Sequence, residues 1–170
     1  MPRGIEIRPT QDKVRQAVFN ILAKVVEGSV VLDLYAGSGA YGLEALSRGA
    51  KRVIFVDNNP GCVKAIRYNL ERLGIIGDRA RIIRQDALKA LKGLDSSGSK
   101  CDVVFIDPPY YRELAKNCLR NLLQYDILAP NNFIIIERHI ADDLGEMSGF
   151  IIVDMRRYGD TGITIGRVKT

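Results

Sequence analysis

The sequence predicts an α/β domain with a mainly parallel sheet, on three observations. Short apolar runs rich in β-branched residues alternate with segments of helical period. The first of those runs passes through a glycine-rich turn into a helix, DLYAGSGAYG (33–42). The last two runs meet at Gly159-Asp160-Thr161-Gly162, which leaves no room for a crossover helix, so they must form an antiparallel hairpin at one edge of the sheet.

In chain order, Val14, Ala17, Val18, Ile21, Leu22 and Val25 fall on one helical face and predict a helix over 11–26. Strands follow at SVVLDL (29–34), RVIFVD (52–57), ARIIR (80–84), DVVFID (102–107), NFIIIE (132–137), GFIIVDMRRY (149–158) and ITIGRVK (163–169). Helices are expected near 40–49, 60–73, 87–92 and 112–125. Asn59 caps the second of these, Pro60 occupies its first turn, Val63, Ile66, Leu70 and Leu73 form its apolar face, and Gly74 stops it. The stretch DSSGSK (95–100) reads as a loop.

The chain has 170 residues, without a repeat or an interdomain linker, which predicts a single domain over 1–170 whose basic N-terminal segment (1–26) packs on the core. Hydrophobic residues make up 46% and charged residues 26%, enough to bury a real core. No apolar run approaches the ~18–20 residues of a membrane span, and MPRGIEIRPT lacks the apolar centre of a signal peptide, so a cytoplasmic protein without a membrane partner is expected. Cys62, Cys101 and Cys118 are scattered without CxxC spacing; they read as buried or half-buried thiols, with neither a disulfide framework nor a metal site. Net charge is +5. Residues 1–26 concentrate Arg3, Arg8, Lys13, Arg15 and Lys24 against only Glu6 and Asp12, which suits a polyanionic partner or, equally, a solvated helix face.

Gly37, Gly39 and Gly42 match GxGxxG, where missing side chains let a ligand approach the backbone and the helix N-terminus. Asp57, at the end of the second strand, suits a ribose diol whether the ligand is a dinucleotide or S-adenosylmethionine. Asp33 separates the two: a carboxylate aimed at the turn repels a diphosphate but attracts the ammonium and sulfonium charges of S-adenosylmethionine. Asp86, after the third strand, is placed to accept from the adenine amino group; Asp57 and Asp86 have helix capping as their alternative role. Tyr35 and Ala36 in the turn, and Asn58 and Ala87 beside the two carboxylates, complete the expected cofactor site.

Asp107-Pro108-Pro109-Tyr110 follows directly on the apolar strand DVVFI. Two prolines stiffen the turn and remove two N–H donors, so the local backbone presents carbonyls. An aromatic amine is a poor nucleophile because its lone pair is delocalised into the ring. Accepting both its N–H groups, on the Asp107 carboxylate and the Pro108 carbonyl, favours a pyramidal nitrogen whose lone pair faces a methyl donor. Tyr110 is expected to stack on the base, and no covalent nucleophile is required. Tyr111 and Arg112, next in the chain, are placed to clamp a flanking nucleotide or to lie in an exposed loop. His139 reads as a surface or packing residue.

With those motifs stand Arg8-Pro9-Thr10, Val14-Arg15, Phe19-Asn20-Ile21-Leu22, VLDLYAGSGAYGLEALSRGA (31–50), FVD (55–57), Asn69-Leu70 and Tyr158-Gly159-Asp160-Thr161. On these the sequence resembles the bacterial 16S rRNA guanine-N2 methyltransferases, the RsmD-like family. The resemblance implies a Rossmann-like class I methyltransferase sheet in the order 3-2-1-4-5-7-6, with helices on both faces, and an S-adenosylmethionine cofactor. It implies that Arg8 and Thr10 approach the methionine end of the cofactor or the target base, and that ribosomal RNA or the small ribosomal subunit is the partner. Arg3, Lys13 and Arg15 are then expected to contact RNA phosphates, in a monomer or weak homodimer. Two features depart from the family: its N-terminal basic hairpin has no counterpart before Arg8, so part of the RNA-contacting surface is expected to be missing, and Gln16 stands where glutamate is usual. An adenine-N6 DNA methyltransferase, a glutamine-N5 protein methyltransferase and a non-catalytic nucleotide- or RNA-binding module are the competing readings.

Overall fold

The computed structural model describes residues 9–75, 77–110 and 113–169, with side chains from residue 12 onward. Five parallel strands, β1 (Val30–Leu34), β2 (Arg52–Val56), β3 (Ala80–Ile83), β4 (Cys101–Ile106) and β5 (Leu128–His139), are extended by an antiparallel hairpin of β6 (Phe150–Tyr158) and β7 (Thr161–Val168). The sheet order is 3-2-1-4-5-7-6, as the resemblance implies.

Both faces of this sheet are covered, so its central strands read as continuous apolar runs rather than as alternating ones. Side chains still alternate in direction. Val31, Val53, Phe55, Val103, Phe105 and Ile135 pack with α1 (Pro9–Ile21), α2 (Ala23–Val26), α3 (Ala40–Ser47) and α4 (Pro60–Arg72). Leu32, Leu34, Ile54, Val56, Val104, Ile106, Ile134 and Ile136 pack on the other side with α5 (Ala87–Ser96) and α6 (Leu114–Leu122). No helix among the described residues is long and apolar enough to cross a membrane.

Four elements depart from expectation by a break or by more than two residues. The helix expected over 11–26 is two, separated at fully buried Leu22, whose carbonyl accepts from Val25 N three residues on and tightens the turn. Helix α5 outruns the expected 87–92 into the DSSGSK stretch, because Leu94 completes the buried stripe of Ala87, Ala90 and Leu91, and Ser96 Oγ donates to the Lys92 carbonyl. Helix α6 is shorter than 112–125. Strand β5 begins at Leu128 instead of 132, with a register shift between Cys101↔Leu128 and Val103↔Phe133 that is closed by Asn132, whose side chain donates to Ala129 and Val168 carbonyls.

Packing is close behind the glycine turn. Gly39 is in the left-handed region (φ +86) at the start of α3. A Cβ on Gly42 would overlap the Phe55 ring and come within 2.8 Å of Val53 Cγ1, so only glycine lets α3 lie on β2. Gly42→Ala is therefore expected to cost about 1–3 kcal/mol, the usual penalty for overpacking a closed core. A chemical denaturation midpoint equal to that of wild type would contradict this.

Candidate active site

The carboxyl ends of β1, β2, β4 and β5 converge at one edge of the sheet. Two adjoining cavities open there. The larger, of about 480 Å³, is lined by Tyr35, Gly37, Asp57, Asn58, Asn59, Cys62, Asp107, Pro108, Pro109, Tyr110 and Glu137. The smaller, of about 280 Å³, shares Tyr35, Gly37, Asp107 and Glu137 with it and adds Arg15, Asp33 and the backbone turn through Ala36, Ser38 and Ala40. A ligand crevice outside the carboxyl ends of parallel strands is the rule for open α/β sheets.

The turn between β1 and α3 is held from two directions. Tyr35 takes a positive φ of 60°, a conformation costing a non-glycine residue about 1–3 kcal/mol and concentrated at functional sites. Asp57 Oδ2 accepts from Gly37 N at 2.9 Å while its Oδ1 accepts from Asn59 N at 2.8 Å. Asn69, on α4, donates to the Ser38 carbonyl. Asn59 is the cap of α4 through Gly61 N, so Asp57 is not itself the cap; it ties the glycine turn to the start of α4.

Asp33 is reached differently from expectation. It is 1% exposed and accepts from Gly42 N at 2.9 Å, so it braces α3 as well as facing the smaller cavity. Burial raises its pKa to about 7, against the opposing effect of the Gly42 N–H and with help from the Asp57 charge. Burial also pushes Asp107 well above the ordinary carboxylate range, with the charges of Glu137 and then Asp33 adding to it. Glu137 is raised by burial as well, held back by the hydroxyls of Tyr41 and Tyr110 that donate to it. Three carboxylates thus crowd one buried edge. Glu137 and Tyr41 went unrecognised in the sequence; the signal available was the lone carboxylate closing the apolar run NFIIIE beside the strand that ends in Asp107.

This crowding has a consequence for stability. Across pH 4–7 the folded chain retains protons that the unfolded chain has released, so stability is full below the ordinary value of 3.8 and falls as pH rises through about 7. The thermal midpoint of the cofactor-free protein is expected to be higher at about pH 5.5 than at about pH 8, with a flatter profile in Asp33→Asn. A midpoint that climbs over that interval, or an unchanged slope in the variant, would contradict it.

The remaining expected residues divide plainly. Asp86 caps α5, its Oδ1 accepting from Leu88 N and Lys89 N, and neither it nor buried Ala87 lines the cavities. Gly39 lies packed against Ile66 and Phe55 behind the turn. Arg15, expected on phosphates, pairs with Asp12 at 2.7 Å and lines the smaller cavity; Lys13 is exposed on the same helix. Arg3, Arg8, Tyr111, Arg112 and the Thr10 side chain lie outside the described residues. Cys101 and Cys118 are buried and Cys62 half-buried, as expected; Cys62 stands in the cavity wall, where burial and then the Asp57 charge push its thiol up, away from nucleophilic thiolate. His139 sits edge-on to the Tyr110 ring at 5.9 Å, its Nδ1 accepting from Ala141 N. Among the described residues, no group of three or more His, Cys, Asp or Glu could hold a metal ion.

A 3-2-1-4-5-7-6 sheet with a glycine turn leaving its central strand and a cavity at the carboxyl edge defines a methyltransferase of the class I fold. The chain belongs to the family described as conserved hypothetical protein 95, which it matches over residues 1–167. It is 35% identical over 163 residues to the Bacillus subtilis protein YlbH, covering 95% of this chain and 88% of that one. It is 37% identical over 131 residues to ribosomal RNA small subunit methyltransferase D of Haemophilus influenzae, covering 77% and 67% respectively. The solved structure of the Escherichia coli protein yhhF superposes with a TM-score of 0.84 at 29% identity, covering 96% of this chain and 88% of that one.

Proposed function

We propose that this chain is an S-adenosylmethionine-dependent methyltransferase acting on the exocyclic N2 amine of a guanine in small-subunit ribosomal RNA, as one catalytic domain over 1–170. The observation that carries the reading is Asp107, a half-buried carboxylate opening on both cavities at once, with Pro108, Pro109 and Tyr110 beside it in the larger one. One group there is in reach of a cofactor on one side and an acceptor amine on the other. The relatives named as ribosomal RNA small subunit methyltransferase D support the substrate.

The residues present fit the cofactor. Its methionine end is a cation carrying a carboxylate, and the smaller cavity offers the carboxylates of Asp33, Asp107 and Glu137 with the guanidinium of Arg15. Arg15 thereby leaves the RNA contacts expected of it and holds the cofactor's carboxylate. Asp57 and Asn58 serve the ribose. When bound, S-adenosylmethionine supplies the methyl group, on a positively charged sulfur. Asp107 and the Pro108 carbonyl accept the two N–H groups of the target amine and orient its lone pair, and the Tyr110 ring stacks on the base. Arg3 and Lys13 serve the RNA backbone, where each phosphate contact releases counterions. The enzyme works in the cytoplasm as a monomer or weak homodimer.

The test is incubation with labelled cofactor and separate pools of small ribosomal subunits, free ribosomal RNA, duplex DNA and protein, followed by identification of the methylated residue. N2-methylguanine in ribosomal RNA is expected. Preferred formation of N6-methyladenine in DNA, or of methylated glutamine, would overturn the assignment.

A further inference from the structure

We infer that Glu137 is a positioning residue for the target base: its carboxylate joins the hydroxyls of Tyr41 and Tyr110 and so fixes the Tyr110 ring at the mouth of the larger cavity. This rests on the function proposed above and extends it to a residue outside the Asp-Pro-Pro-Tyr tetrad.

Strand pairing places Glu137 where it can do this. Ile106 of β4 pairs with Ile136 of β5, so Asp107, the first residue past the end of β4, comes beside Glu137, which stays in β5 and pairs with Ile163 of β7. Glu137 is 5% exposed, and a carboxylate so buried must find donors. Two converge on it. Tyr41 of α3 donates to Oε2 at 2.8 Å, and Tyr110 donates to Oε1 at 3.3 Å. Tyr110 Oη also lies 3.0 Å from Thr161 Oγ1, at the hairpin turn.

The Tyr41 end of this clasp is rigid. Its ring stacks on Phe105 with centroids 4.7 Å apart and planes at 25°, and Phe19 packs on Phe105 from α1 at 5.5 Å. Position is therefore transmitted from a packed core through Glu137 to the Tyr110 ring. A carboxylate is the group this geometry asks for, since it accepts from two hydroxyls with two oxygens. A glutamine has one acceptor oxygen and an NH₂ that must donate, so one of the two contacts is reversed or lost. Because Glu137 also adjoins Asp107, one residue ties the base-stacking ring to the amine-accepting carboxylate.

The experiment compares wild type, Glu137→Gln, Tyr110→Phe and the double variant in single-turnover methylation of small-subunit RNA, with cofactor saturating so that its affinity drops out. Each single variant is expected to lose up to about 10²-fold in rate, the scale of a misplaced reacting group, with the double variant no worse than Glu137→Gln alone. Losses that multiply toward about 10⁴-fold would mean the two residues act independently and would overturn the inference. So would a wild-type rate in Glu137→Gln. If Glu137→Gln does not fold, Tyr110→Phe breaks the same clasp from its half-buried end, and an undiminished rate there overturns the inference equally. Transfer by wild type to an acceptor other than RNA overturns the substrate reading instead, and the four proteins are then compared on that acceptor. Absence of transfer to any acceptor overturns both.

Discussion

Asp107→Ala is expected to lower the rate of methyl transfer by about 10²–10³-fold, the usual scale for losing a preorganised contact to the reacting group. Cofactor affinity should change little. Asp107 closes β4 and is shared by both cavities, while Glu137 and Asp33 remain beside it to face a cation. Removing one of three crowded carboxylates also relieves their mutual repulsion, so the folded protein should be no less stable. Asp107→Asn keeps one acceptor oxygen and should lose less. The measurements are single-turnover rate at saturating cofactor and a calorimetric dissociation constant. A folded Asp107→Ala protein transferring methyl at the wild-type rate would remove Asp107 from the mechanism.

Asp57→Ala should do the reverse, weakening cofactor binding by about 1–3 kcal/mol while leaving turnover at saturation near wild type, since two N–H groups lose their acceptor. Those groups are Gly37 N, in the left-handed turn that both cavities share, and Asn59 N, at the start of α4. The carboxylate is therefore a strut between the glycine turn and α4 as well as the proposed partner for the ribose. Asp57→Asn, which keeps one acceptor, should recover part of the loss. An unaltered dissociation constant in Asp57→Ala would confine Asp57 to the loop and leave the ribose to Asn58.

What the sequence determined by itself is what depends on neighbours in the chain. The element order, the Asn59-Pro60 start of α4, the antiparallel β6–β7 pair and the glycine turn follow from periodicity and from backbone chemistry within a few residues. The place of the tetrad in the cavity wall was legible for the same reason, because four adjacent residues directly after an apolar strand share one stiff turn at the sheet edge. Strand order came from family likeness, because no spacing rule ranks parallel neighbours, and the structure bears it out. Tertiary structure alone decided the rest. Asp33 and Asp86 both lie near the carboxyl end of a strand, yet one is buried against Gly42 and faces a cavity while the other caps α5 outside both. Arg15 reads as one more surface cation until α1 docks and turns it to the smaller cavity. The clearest case is Glu137, 96 residues from Tyr41 along the chain and joined to it by one hydrogen bond. Pattern along a chain reports which face a residue takes, whereas a buried charge depends on which distant strands and helices arrive around it, and that is set only when the sheet closes.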